Sequence, residues 1–171
     1  MIASDRALSS DVKVKPREID FAALYQELAP RVFTYVYRHV GNRQDAEDIT
    51  SETFTRAFSS APKPSADSVS PWIYTIAKNL MIDRARHRKR WLPALLFAPS
   101  TQSDPDDEIL LRSLLDELSA EARDAILLRF LAGLSSAEIG AILGKNSGAV
   151  KMLVHRALLK LRKRWQEEVV R

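Results

Sequence analysis

A chain of 171 residues with 46% hydrophobic and 28% charged side chains suits one ordinary domain or two small ones, and is too apolar for a disordered tail. Its formal net charge of +4 is mild, so the placement of charge rather than the total must carry any electrostatic function. With no cysteine, a disulfide framework and a thiolate metal site are excluded, and no apolar run approaches the roughly 20 residues needed to cross a bilayer.

In chain order, residues 1–19 lack the continuous apolar stretch of a signal peptide and read as a loose leader. Asp20 can cap a helix that begins "FAALYQELA". Pro30 is expected to break or restart it, and "RVFTYVYRHV" then runs to Gly41 as a stop. The next helix, "RQDAEDITSETFTRAFSS", places Ala46, Ile49, Phe54, Ala57 and Phe58 loosely on one side. On this helix Asp45, Asp48 and Glu52 step by three and four and share a face, with Glu47 beside them. A carboxylate metal site would want a Glu-x-x-His pair from other helices, and the chain has none. The better reading is a docking face for a basic partner.

A proline- and serine-containing loop, "APKPSADSVS", follows. Ser70 and Pro71 make a cap and first-turn pair for "WIYTIAKNLMIDRARHRKR". Ile73, Ile76, Ala77 and Leu80 form its apolar stripe, while Thr75, Asn79, Ile82 and Arg86 fall together on the other side. The end of the helix is strongly basic, with Lys78, Arg84, Arg86, Arg88, Lys89 and Arg90 against Asp83 alone. An asparagine amide beside arginine can donate to and accept from a base edge. Trp72 and Tyr74 either stack on unpaired bases or belong to the core, and for Trp72 the core is preferred. Residues 91–104 then join two halves; seven of the nine residues from Trp91 to Pro99 are apolar and the others are proline, odd for a spacer.

The second half is more regular. Asp104-Pro105 opens a helix ending near Leu118, and Ser119 opens another that Gly133 stops. Ser135 and Glu138 form a capping box for "SAEIGAIL", Gly144 ends that helix, and Asn146 or Ser147 starts the last one, to about Gln166. A short helix, a tight glycine turn and a longer helix is the layout of a helix-turn-helix. Val150, Leu153, Val154, Ala157, Leu158 and Leu161 give the last helix a core stripe. Its other side shows Ser147 and Gly148 in the first turn, then Lys151, Met152, His155 and Arg156. From 145 to 164 there are seven cations and no acid, a cluster suited to phosphates.

Together "DAEDITSETFTRAF", "PWIYTIAKNLMIDRARHRKR" and "LSSAEIGAILGKNSGAVKMLVHRALLKLRKR" closely resemble the extracytoplasmic-function sigma factors of bacterial RNA polymerase, over roughly residues 20–165. The resemblance implies an all-α protein of two small helical domains joined by a linker. Residues 20–90 would bind the β′ clamp helices of core polymerase through Asp45, Glu47, Asp48, Glu52 and Phe54. The same domain would open the −10 promoter element with Asn79, Arg84, Arg86 and Arg88. Residues 91–104 would thread toward the RNA exit path. Residues 105–171 would be a four-helix helix-turn-helix domain resting on the β flap, reading −35 DNA through Ser147, Gly148, Lys151, Met152, His155 and Arg156. Met152 and Leu153 depart from the serine or arginine common in the family. The resemblance further implies a cytoplasmic protein with no catalysis, no cofactor and no metal, and an anti-sigma partner. A stand-alone helix-turn-helix regulator is the alternative.

Overall fold

The computed structural model describes residues 20–60, 69–88 and 105–169; the leader, the loop 61–68, the joint 89–104 and the last two residues lie outside the described residues. Those described form seven helices and no strand: α1 (Phe21–Val40), α2 (Arg43–Ser59), α3 (Val69–Arg88), α4 (Pro105–Asp116), α5 (Ala120–Phe130), α6 (Ser136–Leu143) and α7 (Ser147–Val169).

Local chemistry sets most helix ends. Asp20 accepts from the N–H groups of Ala22 and Ala23 at 3.0 and 3.1 Å, and Gly41, at φ +74°, returns its N–H to the Tyr37 carbonyl. Asn42 caps α2 by accepting from the Asp45 N–H at 2.8 Å. Ser119 caps α5, and Ser135 with Glu138 closes the expected capping box on α6. The Asn146 side chain accepts from the Ala149 N–H at 2.7 Å at the head of α7.

Pro30 and the start of α3 differ from expectation, and α5 ends at Phe130, before Gly133. Pro30 does not break α1, which runs through it for 20 residues. The proline is exposed, and Leu28, Val32, Tyr35 and Val36 on either side are buried. Burying side chains of that size gives about 1.5–3 kcal/mol each, which outweighs the roughly 3 kcal/mol of an interior proline. Helix α3 begins at Val69, so Ser70 and Pro71 lie inside its first turn, where a missing N–H leaves no bond unmade.

Helices α1, α2 and α3 pack against one another, α5, α6 and α7 make a second group with α4 against α7, and α3 rests on α6. One core therefore runs through both groups, from Val32, Tyr35, Phe54, Ile73 and Tyr74 to Leu128, Ile139 and Val150. Leu158 departs from its expected place in the core stripe: it is 41% exposed and opens onto a groove between α4 and α7.

Candidate nucleic-acid and partner surfaces

The turn between α6 and α7 depends on two glycines. Gly144 takes the left-handed conformation at φ +65°, and its N–H and that of Lys145 both reach the Gly140 carbonyl. Folding back this tightly brings the Lys145 carbonyl within 2.4 Å of where a Cβ on Gly140 would stand. Only glycine fits there. Sequence reasoning singled out Gly144 but not Gly140, whose signal is a glycine at a buried position inside a short helix.

The turn aims α7 outward. Val150 and Ala157 are buried, Leu153, Val154 and Leu161 pack on the core, and Ser147, Gly148, Lys151, Met152, His155 and Arg156 stand exposed on the first turns. The expected reading face is thus brought together and left open. Gly148 is close to the cap: a Cβ there would sit 3.3 Å from Asn146 Oδ1.

Three of the cations work otherwise. Lys145 Nζ lies 3.1 Å from Glu121 of α5, Arg164 Nε lies 2.7 Å from Glu117 at the end of α4, and Lys160 donates to the Glu117 carbonyl. They tie α7 and the turn before it to α5 and to the residue that follows α4, and Arg164 pairs with Glu167 of α7 as well; Glu117, Glu121 and Glu167 all lie outside residues 145–164, which is why that run without acids concealed them. Arg156, exposed beside Lys151, Met152 and His155, is the sharper probe. Arg156→Ala should weaken duplex binding by about 1–3 kcal/mol and relax preference at one position if the side chain reads a base. Titration against single-base variants of a bound site checks this, and equal loss on every duplex makes it a phosphate contact instead.

On α3, Asn79, Ile82 and Arg86 form the exposed row the spacing predicts, with Thr75 half-buried at its head. Tyr74 is fully buried, so its ring is not presented for base stacking, and Trp72 is half-buried against the core. Arg84, which the resemblance places with Asn79 at the −10 element, faces α2. Its Nη1 reaches the Asp45 carbonyl at 3.3 Å and its Nη2 lies 3.5 Å from Asp48 Oδ2, so it fastens α3 to the acidic helix. The side chain of Arg88 lies outside the described residues.

On α2, Asp48 and Glu52 are exposed on one flank. Glu47, one residue before Asp48 and so about 100° round the helix, points elsewhere and pairs with Arg43 at 2.7 Å. Asp45 is largely covered, its side chain 14% exposed. Phe54 is placed differently from the four acids. It is 2% exposed and meets the Tyr25 ring edge-on at 4.9 Å, so it anchors the helix and leaves contact to its neighbours. A groove of about 420 Å³ separates α2 from α3, lined by Ile49, Glu52, Arg56, Leu80, Asp83 and Arg84.

A second groove, of about 520 Å³, lies between α4 and α7. Leu111, Leu114, Leu158, Leu161, Arg162 and Trp165 line it, and Leu111 and Trp165 are 43% and 49% exposed. Contiguous exposed apolar surface of this kind marks an interaction site more often than chance. Its sequence signal was Leu158, Leu161 and Trp165 at helical spacing, assigned in part to the core. Among the described residues no group of three His, Asp or Glu is placed to hold a metal ion, and no helix is long and apolar enough to cross a membrane.

Comparison with known proteins matches two families on the chain. Residues 24–91 match the family Sigma-70 region 2, and residues 108–161 match Sigma-70, region 4. The chain is 36% identical over 157 residues to the ECF RNA polymerase sigma factor SigL of Mycobacterium tuberculosis, covering 85% of this chain and 88% of that protein. It is 35% identical over 151 residues to the ECF RNA polymerase sigma factor BldN of Streptomyces coelicolor, covering 81% of this chain but only 57% of the relative. Among solved structures, the sigma factor RpoE in complex with the anti-sigma factor NepR from Bartonella quintana shares the fold. It superposes with a TM-score of 0.67 at 24% identity, over 84% of this chain and 95% of that one.

Proposed function

The chain belongs to the extracytoplasmic-function sigma factors of the sigma-70 family, and from that premise we propose that it confers promoter recognition on RNA polymerase core. Residues 20–90 form the unit that docks on the β′ clamp helices, through Asp48 and Glu52 with Asp45 and Glu47 flanking them. Asn79, Arg86 and Arg88 hold the opened −10 element, and Arg84 positions the acidic helix beside them. Residues 105–171 read the −35 element through Ser147, Gly148, Lys151, Met152, His155 and Arg156. The apolar groove of α4 and α7 receives the β flap, and residues 91–104 lead toward the RNA exit path.

The chemistry is selection without catalysis. The cations of α7 neutralise phosphates and set register, and the side chains in its first turns discriminate base edges. Strand opening comes from trapping unpaired −10 bases, with no nucleotide hydrolysed by the chain itself. The protein acts in the cytoplasm, where the polymerase works, and an anti-sigma partner controls its release.

The observation that carries this reading is the similarity spanning both regions in one chain, with an acidic flank and two polar helix faces left exposed. A stand-alone regulator needs only the helix-turn-helix, and leaves the match to region 2 unexplained. In vitro transcription with purified core polymerase across a promoter library tests it. Adding the chain should produce transcripts from a subset of templates sharing one −35 and one −10 motif. Duplex binding without any core-dependent transcription would overturn the proposal.

A further inference from the structure

Between the two helical groups lies a charge cluster centred on Asp124. Asp124, in the middle of α5, is buried, with its side chain 10% exposed. Every donor it holds comes from the other group. The Tyr35 hydroxyl of α1 donates to Oδ1 at 3.1 Å, His39 Nε2 of α1 lies 2.6 Å from Oδ1, and Lys78 Nζ of α3 lies 3.2 Å from Oδ2. His39 Nδ1 is in turn 2.8 Å from the Tyr35 carbonyl, which fixes the ring. Burial alone would raise the Asp124 carboxyl; the hydrogen bond and charge of His39, with Lys78 adding to them, hold it below the usual carboxylate range.

We infer that this cluster is a latch that keeps the free protein closed, and that it must break before the chain can work on a promoter. The inference rests on the function proposed above. A compact chain of this length has a radius of gyration near 16 Å and is roughly 40 Å across. Elements centred at −35 and −10 lie about 25 base pairs apart, which at 3.4 Å per pair is on the order of 85 Å. The closed molecule, with α3 resting on α6, cannot touch both at once. Removing one partner from a buried charged cluster leaves the others imperfectly paired, so a single substitution is enough to weaken the latch. The contact between the groups is also apolar, through the shared core, and the latch supplies its specificity of register.

Asp124→Asn tests it: the shape is kept, the charge is lost, and an amide N–H faces the Lys78 ammonium. The chain lacks cysteine, so Ala23→Cys and Gln166→Cys, both at exposed positions, accept a fluorophore pair. In the free protein the latch variant should show lower transfer efficiency, with small-angle scattering giving a radius of gyration larger by about a quarter or more. Lys78→Gln, which leaves His39 and Tyr35 on Asp124, should move both readings the same way by less, and covers the case in which Asp124→Asn fails to keep its helical content. Core polymerase should bind the opened variant several-fold more tightly than wild type. Folded variants that stay as compact as wild type overturn the latch. Opened variants with wild-type core affinity overturn its inhibitory role. If neither protein binds core while the distances move, the latch stands and the sigma function falls.

Discussion

Gly140→Ala is expected to lower the melting temperature by a few degrees, up to about 8 °C, and to remove specific duplex binding with it. Two effects oppose each other. Alanine is the better helix former by about 1 kcal/mol, and at an open position it would stabilise α6. Here the added methyl would stand 2.4 Å from the Lys145 carbonyl, a backbone atom held by the hydrogen bond from the Lys145 N–H to the Gly140 carbonyl. Relieving that overlap means opening the turn, and strain of this kind in a packed site costs about 1–3 kcal/mol, occasionally more. The overlap wins, and the damage falls on the angle between α6 and α7. Gly148→Ala is the control, because its new methyl would meet only the Asn146 side chain at 3.3 Å. It should leave melting nearly unchanged and weaken duplex binding alone. A Gly140→Ala protein that melts at or above wild type would show that the turn has room after all.

Which parts of this were legible in the sequence follows from the range of the forces involved. Asp20, Ser119 and the Ser135/Glu138 box act within three residues of themselves, and their caps form as read. Gly41 and Gly144 likewise end helices because the left-handed conformation is a property of the residue. Pro30 was misread because its local cost is set against burial on both sides of it, which the local pattern does not weigh. The exposed row on α7 was legible for the same reason as the caps: helical periodicity alone places Lys151, His155 and Arg156 away from Val150 and Ala157.

The contacts that the sequence does not show are those whose partners lie far along the chain. Arg84 looked like one more cation of a basic helix, and meets Asp48 across 36 residues. Arg164 looked free for phosphate and meets Glu117 across 47. Phe54 belongs to the apolar stripe of α2 by spacing and to the polymerase contact only by resemblance, and nothing local shows that Tyr25 of α1 covers it. Asp124 drew no comment, since an acid between apolar residues of one helix gives no sign of a histidine 85 residues away. In each case the composition of the helix was read correctly and its neighbour was not known.

Reversing Asp48 and Glu52 together to lysine should cut affinity for core polymerase by at least about 100-fold while leaving isolated −35 binding within experimental error. Both side chains are exposed, Asp48 at 55% and Glu52 at 44%, so the fold is little affected. Glu52→Lys replaces a surface pair with Arg56 by a like-charge contact at the same spacing, and Asp48→Lys takes one of two acids from Arg84, leaving Asp45. Changes at exposed pairs like these amount to about 1 kcal/mol or less each. Buried against cationic partners in a complex, the same carboxylates count for far more, since breaking a desolvated charge pair costs about 2–5 kcal/mol. The disparity between those two magnitudes makes the experiment decisive: a protein with native melting and native duplex binding that no longer associates with core locates the contact on α2. Retention of core affinity within a few-fold would remove α2 from the polymerase interface, and with it the role given to the acidic flank.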